Sequence, residues 1–251
     1  MTFSDVLCPS CALFLDFDGT LVDIASHPQA VVVPPGLPDT LARLKDLLAG
    51  AVAVVSGRPI QEIDHFLAPL VLSAAGVHGA ERRRADGTLA WQAVRPMRTV
   101  QVAAQALARE HPALVVEAKR GSIALHYRQA PQLQALCLAT MQAAVERSPG
   151  LTLLCGKMVV EAKPGCATKS QAIEAFLKEA PFAGRTPVFV GDDVTDESGF
   201  DSVQRRGGIG VKVGEGPSVA RERVAHPGAM REAMERAIAR HAQCRPGGRA
   251  P

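Results

Sequence analysis

Two carboxylates two residues apart, Asp16 and Asp18, stand where the apolar run Ala12-Leu13-Phe14-Leu15 stops, and Gly19-Thr20 follows them. The run reads as a buried strand, and Gly19 lets the backbone turn sharply away from it. In open α/β sheets ligands bind outside the carboxyl ends of strands, so both acids belong at the mouth of a site. An isolated Asp-x-Asp is ordinarily a solvated pair. The apolar run before it and the Gly-Thr after it make this string far more specific. Two further apolar runs end the same way: 51–55 in Ser56-Gly57-Arg58, and 187–190 in Gly191-Asp192-Asp193-Val194-Thr195-Asp196-Glu197. If the three strands share one parallel sheet, at least four carboxylates converge on one edge. They would repel and raise one another's pKa. A hard divalent cation with oxygen ligands resolves that conflict, and Mg²⁺ suits a site with one or two carboxylates, waters and phosphate oxygens.

A lysine in the first turn of a helix opposes the helix dipole. Lys169 occupies such a position and is expected to neutralise a nearby anion. Lys169-Ser170 ends like a P-loop, but Thr168 stands where that motif needs glycine, which argues against nucleoside triphosphate binding. The glycines between 207 and 216 lack the G-x-G-x-x-G order and read as turns. Magnitude narrows the chemistry. Phosphate monoester hydrolysis needs acceleration of up to about 10²¹, whereas one general acid supplies roughly 10² to 10⁴. A carboxylate pair alone falls short; a nucleophile, a metal, fixed cations and an acid together suffice.

The elements that must position these residues follow from periodicity. Apolar residues at Leu37, Leu41, Leu44 and Leu48 mark a helix, and Ile60, Ile63 and Phe66 another. Leu70 to Ala75 reads as a third short strand, and Glu81 to Ala93 as a hairpin with an Asp-Gly turn. From Pro96 the order becomes helix, hairpin, helix, hairpin, which predicts a small antiparallel sheet with two helices on one face. Alternation within it places Ser122, His126 and Arg128 on one face and Ile123, Leu125 and Tyr127 on the other; Val159, Glu161 and Lys163 lie together. One face is therefore polar, which by itself is ordinary for an antiparallel sheet. The parallel texture resumes at Pro164, where Thr168 can cap a helix, and two short helices are expected to close the chain near Arg240. The fold class is thus α/β: a Rossmann-like parallel sheet core with helices on both faces, plus a smaller α+β domain with an antiparallel sheet. The expected boundaries are a tail at 1–11, a core at 12–95 and 164–241, the smaller domain at 96–163 and a second tail at 242–251.

Composition bounds the rest. Apolar residues make up 47%, enough for a real core, and the net charge of +3 is scattered. Aromatics are only 4%, leaving little for bases to stack on, so nucleic acid is not an expected partner. No apolar run reaches the roughly 18 residues of a membrane span. The start lacks a basic region followed by a long apolar stretch. A cytoplasmic monomer acting on a small molecule is the expectation. Among six cysteines, Cys8-Pro9-Ser10-Cys11 forms one C-x-x-C, but no second pair completes a zinc set and a strand follows where a thioredoxin-type site needs a helix. It reads as a tail pair without a role, and Cys137, Cys155 and Cys166 as small core residues.

Asp16-Phe17-Asp18-Gly19-Thr20, Ser56-Gly57-Arg58, Lys169 and Gly191-Asp192-Asp193 resemble the four motifs of the haloacid dehalogenase superfamily, and the insert resembles a C2B-type cap. Gly76-Val77-His78-Gly79, Glu161-Ala162-Lys163-Pro164 and the string from Gly191 to Glu197 are similar to the trehalose-6-phosphate phosphatase family within it; Lys163 replaces that family's usual arginine. The resemblance implies a Mg²⁺-dependent phosphatase. In it Asp16 is the nucleophile, Asp18 the general acid and base, and Ser56 and Lys169 hold the phosphoryl oxygens. It implies Mg²⁺ held by Asp16, the Asp18 carbonyl and Asp192, with Asp193 and Asp196 nearby. It also implies sugar contacts from Glu117, Lys119, Arg128, Lys157 and Glu161, with Arg58 among the substrate-binding residues. A phosphatase for another sugar phosphate, and a non-catalytic relative, remain as alternatives.

Overall fold

The computed structural model describes residues 3, 7–25, 27–91, 96–119, 121–165 and 168–243. In chain order the elements are β1 (Cys11–Leu15), α1 (Leu37–Leu47), β2 (Val52–Val55), α2 (Ile60–Leu67), β3 (Ser73–Gly76), β4 (Glu81–Arg83) and β5 (Leu89–Trp91). Then come α3 (Arg98–Glu110), β6 (Val115–Lys119), β7 (Ser122–His126), α4 (Gln134–Glu146), β8 (Leu151–Gly156) and β9 (Val159–Pro164). The chain continues through α5 (Lys169–Phe176), β10 (Thr186–Gly191), α6 (Glu197–Arg205), β11 (Ile209–Val213), β12 (Glu222–Val224) and α7 (Pro227–Gln243). Two compact units result, Met1–Ala90 with Thr168–Pro251, and Trp91–Ala167.

The first unit is built on an eight-stranded sheet in the order β12-β11-β10-β1-β2-β3-β4-β5. Strands β12 to β3 pair in parallel, and β4 joins β3 antiparallel. β1 is completely buried, because its five apolar residues have helices or strands on every side. Such continuous apolar runs are what a doubly covered parallel sheet demands. Helices pack in groups: α1 against α7, and α5 against α6. Phe14, Phe176 and Phe182 form an aromatic cluster with centroids 5.0–6.0 Å apart. After β1 the chain steps one way to β2 and, much later, the other way to β10, so the sheet's topological switch lies beside β1. That is where a ligand site is expected. The C-terminal part corrects one expectation. A single 17-residue helix, α7, replaces the two short ones and is preceded by β12. Pro227 suits the first turn, where no amide partner is lost. Met230, Met234, Ala237 and Ile238 then hold one buried stripe over roughly two turns.

The second unit is a four-stranded antiparallel sheet in the order β6-β7-β9-β8, with α3 and α4 packed together. Ile123, Leu125 and Tyr127 join Val160 and Ala162 in a core with Val100, Ala104 and Leu107 of α3 and Cys137 and Met141 of α4. Cys137 is a core residue, but Cys155 is exposed, because it lies near the end of the edge strand β8. Cys166 lies outside the described residues. No helix among the described residues is long and apolar enough to cross a membrane.

Candidate active site

Asp16 is the first residue past β1, with its amide donating to Val190 O at 2.9 Å. Parallel pairing fixes its neighbours. Leu15 lies opposite Val54 of β2 and Val190 of β10, so Ser56 ends on one side of Asp16 and Asp192 on the other. Phe17 turns into the core, where it stacks on Phe66 at 5.7 Å. Gly19 sits at φ +73°, and a Cβ there would lie 2.1 Å from Asp192 Oδ2. The loop after β1 therefore approaches the loop after β10 as closely as only glycine allows.

Lys169 joins the two loops. Its Nζ lies 2.8 Å from Asp16 Oδ1 and 2.7 Å from Asp196 Oδ1, and all three side chains are buried. The position in the first turn of α5 arises locally: Thr168 caps that helix by accepting the Gln171 amide at 3.1 Å. Burial alone would lower the Lys169 pKa; the attraction of Asp16 and Asp196 outweighs it and raises the pKa above its ordinary value. Asp16 is pushed well above the usual carboxylate range, chiefly by burial and also by Asp196 and Asp192, against the opposing pull of Lys169. Burial and the charge of Asp196 push Asp192 up to about 6.

Asp196 was expected near a metal. Its geometry gives it another task as well. Oδ1 takes Lys169, and Oδ2 accepts the amides of Asp192 and Asp193, both at 3.0 Å. It is fully buried and holds the Gly191–Asp196 loop in shape. Asp193 is exposed and accepts the Val194 amide at 2.6 Å, closing a capping box with Asp196. Asp16, Asp192 and Asp196 still bring one carboxylate oxygen each within 4.8 Å of one another. Three hard oxygen donors this close, two of them with raised pKa values, fit a divalent cation such as Mg²⁺.

Ser56 is buried, and its Oγ accepts the Arg58 amide at 3.1 Å. Its own proton is left for another acceptor. Arg58 grips Asp18 through two bonds, Nε to Oδ2 at 2.6 Å and Nη2 to Oδ1 at 2.8 Å, and donates from Nη1 to Glu62 at 2.8 Å. The Phe17 and Phe66 rings lie 5.7 and 5.0 Å from its guanidinium carbon. This side chain, expected to touch substrate, is thus engaged with the acid of the first motif. Behind it, Val77 and His78 adopt φ values of +49° and +56°, a region costly for a β-branched residue. The strain lets the His78 amide reach Ser56 O at 3.0 Å and brings its ring against Gly57, where a Cβ would meet it at 2.7 Å.

Two residues of this unit escaped the sequence reading. Lys212 on β11 is buried and donates to the Asp192 carbonyl. The available signal was a lone charge in the middle of the apolar strand Ile209–Val213. Glu81 is buried on β4 and accepts the Ile60 amide at the start of α2, the helix that follows Arg58. Nothing short of the strand pairing reveals that contact.

In the second unit, register decides which polar residues share a face. Glu117 lies opposite Ala124, and Ala124 opposite Glu161, so both glutamates stand in one central row. Glu117 also meets His126 Nε2 at 3.0 Å. Lys119 ends β6 opposite Ser122, at one end of the sheet. Arg128 corrects the expected alternation: β7 stops at His126, and Arg128 falls in the following turn, exposed. Lys157 is exposed in the two-residue turn between β8 and β9, at the same end as Arg128, since the Tyr127 amide donates to Met158 O at 3.0 Å. Lys119 therefore stands some four residues of strand, roughly 13 Å, from that end.

A family model described as Trehalose-phosphatase matches residues 14–230. The Escherichia coli (strain K12) protein named trehalose-6-phosphate phosphatase is 43% identical over 227 residues, 90% of this chain and 85% of that one. The solved structure of a trehalose-6-phosphate phosphatase related protein is 26% identical with a TM-score of 0.73, over 92% of this chain and 98% of that one. A Bacteroides thetaiotaomicron phosphatase of the haloalkanoate enzyme superfamily, 15% identical, shares the fold with a TM-score of 0.64 over 94% of this chain and 96% of its own.

Proposed function

The chain belongs to the trehalose-phosphatase family, and from that premise we propose that it hydrolyses trehalose 6-phosphate to trehalose and phosphate through an aspartyl phosphate on Asp16. The observation that carries this reading is Asp16 itself. It lies buried at the end of the central strand, Lys169 holds one of its oxygens at 2.8 Å, and Asp192 stands beside it. A carboxylate so fixed loses little freedom on attacking phosphorus, which is how positioning lowers a barrier.

In the first half-reaction the Asp16 carboxylate attacks the phosphoryl group, and Asp18 gives a proton to the departing sugar oxygen. In the second, Asp18 takes a proton from the water that attacks the acyl phosphate and frees Asp16. Both Asp18 oxygens accept from Arg58, so Asp18 must release at least one of these bonds to reach the leaving group. Arg58 acts through Asp18 in this account. The Ser56 hydroxyl and the Lys169 ammonium bind the phosphoryl oxygens, and Lys169 keeps Asp16 oriented. Asp16, Asp192 and the Asp18 carbonyl would hold Mg²⁺, which supplies charge neutralisation for the phosphoryl oxygens. Sugar recognition is assigned to the polar sheet face of the second unit. Glu117 and Glu161 supply the centre, Lys119 one end, and Arg128 and Lys157 the other. Carboxylates accept from sugar hydroxyls and ammonium groups donate to them, which supports that assignment.

The test is phosphate release with Mg²⁺ from a panel of sugar phosphates. Trehalose 6-phosphate is expected to give the highest kcat/KM. A different best substrate would leave the phosphatase chemistry standing and replace the sugar assignment.

A further inference from the structure

The phosphoryl chemistry leaves the cysteine pair at the start of β1 unused. Cys8 and Cys11 are the corners of a tight turn: the Cys11 amide donates to Cys8 O at 2.9 Å across Pro9-Ser10. Proline at the second position pre-sets such a turn. A β-turn holds its outer Cα atoms within about 7 Å, and a disulfide spans about 4.4–6.8 Å between Cα atoms. The backbone therefore already has the reach a bridge requires. The sulfurs have met as well, with Sγ atoms 3.1 Å apart and neither in a disulfide.

The turn is part of the folded sheet. Arg185 donates to the carbonyls of Pro9 at 2.6 Å and Cys11 at 3.3 Å, and the Thr186 amide donates to Ser10 O at 3.2 Å. The two sulfurs differ in environment. Cys8 is half-buried, and its Sγ lies 3.1 Å from Ser10 Oγ; Cys11 is buried. Burial pushes the Cys8 thiol up, but hydrogen bonding with Ser10 and Cys11 outweighs it and leaves the pKa below the ordinary value. Burial, aided by the hydrogen bond with Cys8, pushes the Cys11 thiol up to about 11. A partly accessible thiol of lowered pKa beside a shielded partner is the arrangement that favours attack by one sulfur and resolution by the other.

We propose that Cys8 and Cys11 form a redox-active dithiol that closes reversibly to a disulfide, with Cys8 as the attacking sulfur and a low-molecular-weight disulfide of the glutathione class as oxidant. The Cys8 thiolate attacks one sulfur of the oxidant and expels the other as a thiolate. Cys11, giving up its proton, then attacks the Cys8 sulfur of the mixed disulfide and expels the second thiolate. The protein loses two electrons and two protons, and the oxidant becomes two thiols. The geometry does not extend this to zinc, since the group of three potential metal-binding side chains among the described residues lies at Asp16, Asp192 and Asp196.

The test uses the full reduced chain in buffers of stepped reduced-to-oxidised glutathione ratio, quenched with acid, alkylated, digested and mapped by mass spectrometry. The peptide with Cys8 and Cys11 is expected to pass from doubly alkylated to unalkylated and two hydrogens lighter, with one midpoint. Cys11→Ser should trap glutathione on Cys8, because the resolving sulfur is gone. Cys8→Ser should show neither a bridge nor an adduct on Cys11. A wild-type peptide that stays doubly alkylated in oxidised glutathione alone, while exposed Cys155 acquires an adduct, overturns the proposal. So does Cys11→Ser protein with no adduct on Cys8.

Discussion

Lys169→Met removes the ammonium that two buried carboxylates share. Nζ lies 2.8 Å from Asp16 and 2.7 Å from Asp196, and the side chains are 3%, 7% and 0% exposed. Removing one partner of a buried ion pair costs about 3–5 kcal/mol. Asp16 has an escape, which sets a ceiling. It can take up a proton, and for a carboxyl of ordinary pKa near 3.9 in the unfolded chain that costs about 4 kcal/mol at pH 7 but only about 1.5 kcal/mol at pH 5. The variant should therefore be destabilised by about 3–4 kcal/mol near neutrality and by about 1.5 kcal/mol near pH 5. The assay is urea denaturation followed by circular dichroism at both pH values, in EDTA and then with Mg²⁺. Mg²⁺ should stabilise the variant, since a divalent cation can replace part of the lost positive charge. A penalty below about 1 kcal/mol at neutrality, or one that does not shrink in acid, refutes the claim that Lys169 balances buried carboxylates.

Four further outcomes follow from the same geometry. Asp16→Asn is expected to abolish turnover while leaving the circular dichroism spectrum unchanged; residual activity near wild type removes Asp16 as nucleophile. Glu161→Ala should reduce kcat/KM for trehalose 6-phosphate far more than for p-nitrophenyl phosphate, and equal losses on both detach Glu161 from sugar binding. Lys212→Met deletes a charge-assisted hydrogen bond to the Asp192 carbonyl, of the order of 1.5–3 kcal/mol, so the Mg²⁺ concentration for half-maximal activity should rise by about tenfold or more; an unchanged Mg²⁺ titration separates Lys212 from that loop. Asp192, held at about 6 in the fold against about 3.9 unfolded, binds its proton more tightly in the native state. The metal-free stability it contributes is present below about pH 4 and lost as pH rises through about 6. Bound Mg²⁺ competes with that proton, so its stabilising effect should grow over the same window. Tm of wild type minus that of Asp192→Asn, measured across pH in EDTA, should fall through the window, and a rise would contradict the assigned cause.

What the chain order alone determined was local. An apolar run stopped by a polar residue marked β1, β2 and β10 and placed Asp16, Ser56 and Asp192 at strand ends, because a strand buried on both faces has few other places for charge. The family resemblance rested on the same strings and carried the fold class with them. Alternation separated the two faces of the second unit for the same reason, a side-chain period of two. It failed at Arg128, because where a strand stops depends on its partner, and β7 pairs with β9 only as far as His126. Cys155 lay in an apolar context yet is exposed, because edge position in a sheet is a property of strand order. The tertiary structure alone decided that Asp196 and Asp16 share Lys169, that Lys212 steadies Asp192, that Arg58 is engaged with Asp18, and that Cys8 and Cys11 touch. Each is a contact between side chains whose approach is set by pairing and turn geometry, and residue type by itself holds no record of that distance.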